Sequence, residues 1–414
     1  EGMICAEDEL GLGTAHDGIM VLPESVEVGL RANQYFNVEE DYIFEIGLTP
    51  NRADAASHIG SARDLVAGLN RLKGNNNHKL KLPSVADFKV DNTTLDIDVI
   101  VEDPIACPRY AGITISNIKV AESPEWLKNR LNSIGLRPIN NIVDITNFVM
   151  LETGQPLHAF DFDFLEENRI VVRTASKGER FVTLDEKERV LDPEMLMICD
   201  GKKAVAVGGV MGGFNSEIKD GTTRVLLESA YFNSVSVRRT SKRLGLSTEA
   251  SHRFERGADP DGQIAAANRA AKLMVELGGG RLISGLIDEY PKPQSPKSLK
   301  LSVKNTNRLL GTQLQRKEIA NLLKSIEFTV EKKGSKKDED FLTVTPPSFR
   351  VDISRPQDLM EEVARLSGYN HIPTTFPAMP ATGRSFHKQI DVRDRIRRLM
   401  TGLGFREITN YSFM

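Results

Sequence analysis

The chain has 414 residues, enough for two to four domains at roughly 100–200 residues each. Lys and Arg number 54 against 57 Asp and Glu, a formal net charge of −3, so there is no global basic field and any nucleic-acid contact needs a local patch. The three scattered cysteines, Cys5, Cys107 and Cys199, argue against a disulfide framework or zinc cluster and fit a reducing cytoplasm; no apolar run approaches the ~20 residues of a membrane span, and no signal peptide is visible.

The chain opens at Glu1 without an initiator methionine and stops in an aromatic, strand-like run, so it reads as a piece of a longer protein. Gly11, Gly13 and Gly18 look like turn residues, and no G-x-G-x-x-G phosphate loop follows a strand. From Tyr42, YIFEIGLTPNRAD is expected to form a strand ending near Thr49–Asn51. Asp54 is then the expected N-cap of a helix whose Ile59, Ala62, Leu65, Val66 and Leu69 recur at helical spacing and should face a core. Gly74–His78 reads as a linker. LDIDVIV and Arg109–Ile115 carry strand signals. Ser123 should cap a helix beginning at Pro124 and ending near Gly135.

Polar groups are densest between Arg137 and Phe160: Asn140, Asn141, Asp144, Thr146, Asn147 and His158 interleave with apolar residues such as Ile142, Val143 and Ile145. That pattern describes a wall of a packed domain with polar groups facing a cavity, and a turn at Gly154–Pro156 that delivers His158 to a loop edge. It equally describes a buried element with satisfied amides and a structural histidine.

Residues 169–228 read as almost wholly β. The paired glycines of Gly208–Gly213 indicate either close backbone approach to something or a tight bend. Glu228 interrupts the apolar run VLLESAYF; it meets a partner or ligand, or alternation puts it on the solvent face. Residues 233–279 turn helical and basic, with Arg238, Arg239, Lys242, Arg243, Arg253 and Arg256 either meeting phosphates or forming a solvated face. Residues 265–277 make an amphipathic helix ended by three glycines, and PKPQSP at 291–296 is the clearest linker. A smaller unit follows: a strand at 298–303, a helix at 316–326, and strands at 328–330 and 341–344 around a charged turn. Pro356 starts a helix in which Asp358, Glu361, Glu362 and Arg365 share a face, with Asp352 just before it. Four carboxylates suit a hard cation such as Mg²⁺; they also suit a helix N-terminus with a Glu361–Arg365 pair. Beyond the Pro-rich TTFPAMPATG, Val392–Leu403 is amphipathic and GFREITNYSFM begins a strand.

Eight stretches in order resemble the β subunit of bacterial phenylalanine–tRNA ligase: GMICAEDELGL, LTPNRADAASHIGSARDL, RPINNIVDITNFVMLETGQPLHAFD, GGVMGG, LLESAYF, RRTSKRLGLSTEASHRFERG, RVDISRPQDLMEEVARLSGYNHIP and GFREITNYSF. The resemblance covers essentially the whole chain. It implies a multidomain α+β protein, with a central mixed α+β editing domain flanked by small winged-helix-like modules of DNA-binding fold. Residues 1–92 would be a small N-terminal module and linker, following an OB-fold tRNA-binding module. Residues 93–290 would be the tRNA-binding editing domain, 297–373 a small winged-helix-like module with an acidic metal-site motif, and 385–414 the start of a catalytic-like class II synthetase core.

The implied activity is hydrolysis of tyrosyl-tRNA(Phe), with synthesis on the α subunit of a cytoplasmic α2β2 heterotetramer that uses ATP not bound by this chain. A hydrophobic pocket cannot strongly reject a molecule that merely adds a hydroxyl, so a second site must bind that hydroxyl. The resemblance assigns this to Glu228, with Gly208 and Gly209 as the wall beside the ring; alanine in relatives at the Gly208 position implies a roomier pocket here. Asn140 would help to bind substrate, and Thr146, Asn147 and His158 would surround the ester and terminal adenosine, His158 orienting or polarising. Asp352, Asp358, Glu361 and Glu362 would hold Mg²⁺ shared with the α subunit. The alternative is a non-catalytic scaffold that binds tRNA and assembles the subunits. A stand-alone nucleic-acid-binding protein reading through helices 54–72 and 316–326 is disfavoured by the charge balance.

Overall fold

A computed structural model describes residues 4–13, 15–16, 18–36, 41–85, 88, 95, 97–282, 286–295, 297–331, 340–376 and 388–412. Its centre is an antiparallel sheet in the order β11 (Arg281–Leu282), β2 (Arg109–Ser116), β10 (Arg224–Tyr231), β3 (His158–Asp161), with β12 (Ile287–Glu289) also on β2. β2 is buried along its whole length and β10 along most of it, because both faces of this sheet are covered.

Alternation along the strands divides their side chains between two cores. Ile113, Ile115, Val225 and Leu227 face helices: α3 (Glu125–Asn132), α4 (Asn141–Thr153) and α7 (Gln263–Gly278). On α7 the small side chains of Ala266, Ala267, Ala270 and Ala271 let the helix lie close against α4 and β10. Tyr110, Phe160, Leu226 and Ala230 face the other way, onto a second sheet. That sheet runs β1 (Asp98–Val101), β4 (Arg169–Thr174), β7 (Leu196–Cys199), β8 (Ala204–Val207), β9 (Met211–Gly212), with β1–β4 its parallel pair. The result is three layers: helices, sheet, sheet. A hairpin, β5 (Arg180–Val182) with β6 (Glu188–Val190), and helices α5 (Ser234–Leu244) and α6 (Glu249–Arg256) complete this part.

A smaller core forms around the sheet β13 (Leu299–Ser302), β15 (Phe341–Thr345), β14 (Thr329–Val330) and helices α8 (Val303–Leu310), α9 (Arg316–Ser325) and α10 (Pro356–Ser367). Leu301, Ile319, Leu323, Val344 and Leu359 fill it, joined by Ala67 from α2 (His58–Leu72). The short α1 (Ala32–Tyr35) and the exposed α11 (Lys388–Gly402) lie outside these cores. The architecture is α+β, as expected. Among the described residues no helix is long and apolar enough to cross a membrane.

Several local expectations are corrected. Residues 42–48 form no strand, and Tyr42, Ile43 and Phe44 are exposed; an alternating pattern becomes a strand only where a neighbouring edge completes its hydrogen bonds. Residues 405–412 likewise form no strand. Asp54 does not cap α2: it sits in a 3₁₀ turn held by Arg52, and the Ser57 hydroxyl accepts from the Gly60 amide instead. The buried face of α2 is centred on Gly60 and Ala67, leaving Leu65 exposed. Ser123 does not cap α3; its hydroxyl donates to Asp144, and Pro124 takes the cap position. The charged turn at 332–339 and residues 385–387 lie outside the described residues.

Candidate active site

Helix α4 supplies one wall. The Asn140 side-chain oxygen accepts from the amides of Ile142 (3.1 Å) and Val143 (3.0 Å), fixing where the helix begins. Gly154, at φ +86°, ends it in the left-handed conformation that leaves glycine unstrained, and the chain turns into β3. His158 opens β3 directly opposite Glu228 of β10. Opposed residues of an antiparallel pair share a face, so both side chains enter the space between the two sheets. There they line a cavity of about 540 Å³ with the capping Asn140, with Thr146 and Asn147 of α4, and with β8–β9 and the start of α6. That volume suits a small-molecule moiety.

Glu228 is buried, and its Oε2 has no hydrogen-bond partner among the described residues. Burial pushes its carboxyl up to about 7, with the neighbouring Tyr110 hydroxyl acting in the opposite direction. Among the described residues no hydrogen bond of ordinary geometry satisfies the Tyr110 hydroxyl, which is itself buried. His158 is pulled down to about 4 by burial, so its imidazole is neutral at neutral pH. Its ring packs edge-on against Phe160 at 4.4 Å between centroids. The Thr146 hydroxyl donates to the Val143 carbonyl at 2.7 Å, so it offers only lone pairs to the cavity. The half-buried Asn147 amide has no hydrogen-bond partner among the described residues.

The glycines divide by role. A Cβ on Gly212 would lie 2.5 Å from His158 Cε1 and 2.7 Å from Nε2, so this glycine makes room for the imidazole. Gly209, at φ +71°, lines the cavity, and a Cβ there would lie 2.9 Å from Phe232 Cδ2 and Val237 Cγ2. A Cβ on Gly208 would meet Leu196 Cδ2 at 3.1 Å, and Gly208 is absent from the cavity wall. Alanine there would press on Leu196, so Gly208 does not enlarge the pocket. The sequence singled out Gly212 only as one of the GGVMGG glycines, without a role, and nothing local marked Tyr110.

The acidic quartet does not form a metal centre. Asp352 accepts from Arg350 Nε and Nη2 at 2.8 and 2.7 Å. Glu362 is buried between Arg350 at 2.9 Å and Arg365 at 2.6 Å. Burial raises the Glu362 carboxyl, but the two guanidiniums outweigh that and hold it at about 2. Asp358 accepts from the amides of Ser354 and Arg355, capping α10, and Glu361 is exposed. Among the described residues no group of three or more His, Cys, Asp or Glu could hold a metal ion. The arginines instead close a ring: Arg365 also binds Asp64, Asp64 binds Arg52, Arg52 binds Asp54, and Asp54 lies 3.9 Å from Arg350. The basic run also divides. Arg253 and Arg256 serve internal contacts and Arg243 pairs with Asp192, whereas Arg238, Arg239 and Lys242 are exposed on α5.

Three family models match the chain: the B3/4 domain over residues 106–279, the tRNA synthetase B5 domain over 299–369, and the phenylalanyl tRNA synthetase beta chain CLM domain over 372–414. They define a chain of aminoacyl-tRNA synthetase type. Similar proteins include the phenylalanine–tRNA ligase beta subunits of Syntrophus aciditrophicus (46% identical, covering 100% of this chain and 50% of the relative), Geobacter metallireducens (47%, 100% and 50%) and Bacteroides thetaiotaomicron (45%, 99% and 50%). The chain belongs to the phenylalanine–tRNA ligase beta-subunit family and spans about half the length of these relatives. An N-terminal fragment of the phenylalanyl-tRNA synthetase beta subunit from Pyrococcus horikoshii is 18% identical with a TM-score of 0.38, covering 77% of this chain and 85% of the fragment; that level of likeness adds nothing to the assignment.

Proposed function

We propose that residues 93–290 carry a hydrolytic editing site that removes tyrosine from mischarged tRNA(Phe). The observation that carries this reading is the unpartnered Glu228 Oε2 inside a cavity with largely apolar walls. A tyrosyl ring entering the cavity gives that oxygen a hydroxyl donor. A phenylalanyl ring leaves it buried and unpaired, a penalty of roughly 1–3 kcal/mol or more for a charged group. The donor also favours the carboxylate, so tyrosine binding offsets the burial that pushed the group up.

The ester end would lie against α4 and β3. The Thr146 oxygen accepts from a ribose hydroxyl or the attacking water, and the Asn147 amide is free to do either. Neutral His158 orients the water by hydrogen bonding; it is too weak a base at about 4 to hold a proton through the reaction. An activated ester needs little more than a positioned water.

At the level of the whole enzyme, the reading is a cytoplasmic α2β2 phenylalanine–tRNA ligase. Its α subunit attaches phenylalanine to tRNA(Phe) with ATP and Mg²⁺, and residues 297–373 and 385–414 serve assembly. Asp352, Asp358 and Glu362 are taken up by arginines and backbone amides and do not fit a Mg²⁺ centre as they stand. The test is hydrolysis of preformed tyrosyl-tRNA(Phe), with phenylalanyl-tRNA(Phe) as control, by wild type and Glu228→Ala. Release of tyrosine alone, with the preference lost in Glu228→Ala, is the expected result. Inactivity with tRNA bound would overturn it in favour of the scaffold reading.

A further inference from the structure

We infer that Glu217 receives the α-ammonium of the bound aminoacyl ester, so that the site takes esters with a free amino group. The inference rests on the editing reading above. Four carboxylates line the cavity: Asp185, Glu217, Glu228 and Glu249. Asp185 is paired with Arg189 and takes the Thr183 hydroxyl. Glu249 is paired with Arg253 at 2.6 Å. Glu228 is buried with no ion-pair partner among the described residues and is committed to the far end of the side chain. Glu217 is half-buried and makes no hydrogen bond or ion pair with any described residue.

Its neighbours explain why it stays there. Ser216 is fully buried and its hydroxyl donates to the Val205 carbonyl at 3.2 Å, while Ile218 is buried in the helix-side core. Both flanks are anchored, which fixes the Glu217 backbone at the cavity wall and leaves its side chain among the residues that line the cavity.

An aminoacyl ester carries one positive charge close to the carbonyl under attack. A cavity that takes the amino acid must replace the water around that ammonium with a counter-charge. Of the four carboxylates, two are already neutralised by arginine and one is needed at the ring, which leaves Glu217. A charge-assisted contact of this kind acts on binding more than on the chemical step, because the ammonium is present in both substrate and transition state.

The experiment compares tyrosyl-tRNA(Phe) with its N-acetyl derivative in the assembled ligase, as wild type, Glu217→Gln and Glu217→Asp. Expected for Glu217→Gln is a KM for the free ester raised about tenfold or more, with kcat nearly unchanged. Its KM for the N-acetyl ester stays at the wild-type value, and Glu217→Asp recovers part of the loss. Wild-type hydrolysis with Glu217→Gln unchanged, or equally impaired on both esters, overturns the inference alone. Failure of wild type on both esters overturns the editing reading and this inference with it.

Discussion

Replacing Glu228 with glutamine keeps the shape of the side chain and removes its charge, and the structure sets the size and sign of the response. The folded carboxyl stands at about 7 because burial disfavours its charged form, against an ordinary 4.5. A carboxyl raised on folding lends full stability only below its unfolded value and withdraws it as pH rises through the folded value. With those two values the wild type pays about 1 kcal/mol at pH 5 and about 3 kcal/mol at pH 8 for ionising this group. Glu228→Gln therefore gains on wild type by roughly 2–3 kcal/mol between pH 5 and pH 8. At about 2–4 °C per kcal/mol, the melting temperatures should diverge by on the order of 5–10 °C over that range. Parallel thermal melts of the two proteins at both pH values measure it. A constant difference between them, or a glutamine variant that falls behind as pH rises, would refute the account of Glu228 as a desolvated acid.

Other expectations follow from the same geometry. His158→Ala should lower kcat for tyrosyl-tRNA hydrolysis, and the wild-type pH–rate profile should show a limb near 7 that disappears in Glu228→Gln, with no histidine limb above about 4. Gly212→Ala should abolish hydrolysis by driving a methyl into His158, whereas Gly208→Ala, which only presses on Leu196, should retain most of it; rates on one substrate preparation decide. Arg350→Met leaves Glu362 buried with only one of its two arginines and should destabilise the smaller unit by about 3 kcal/mol or more, read by urea denaturation. Asp358→Ala should cost about 1 kcal/mol through the lost cap of α10, and Mg²⁺ should change neither melt.

How much of this could be read in the sequence depended on whether the cause was local. An acid inside VLLESAYF and a histidine after a glycine–proline turn stand out in their own surroundings, and the strands bring them face to face. Gly212 stood out only as one of a run, because the imidazole it accommodates comes from a residue more than fifty positions earlier. Tyr110 and Glu217 carried no mark at all, since a buried hydroxyl and an unpaired carboxylate are defined by what surrounds them. The acidic quartet shows the converse failure. Four carboxylates are visible in a row of letters, but a partner such as Arg350 reads there as one more surface charge, and its burial is not visible. The strand expected at 42–48 failed for a related reason: pattern specifies which side chains would face inward, but not whether an edge exists to receive them.

The ring of arginines and carboxylates also bears on how the chain is made. Arg365 reaches Asp64 across a separation of 301 residues. At about 5–20 residues per second, a ribosome that has released Asp64 needs on the order of 15–60 s more to deliver Arg365. Through that interval Arg52 can hold Asp54 and Asp64 but Arg365 and Arg350 are still missing, and Ala67 waits for the core of leucines and valines that will cover it. Helix α2 can thus lean on α4 as soon as the central three-layer unit is made, but the smaller core closes over Ala67 only when the last of its own helices, α10, has followed.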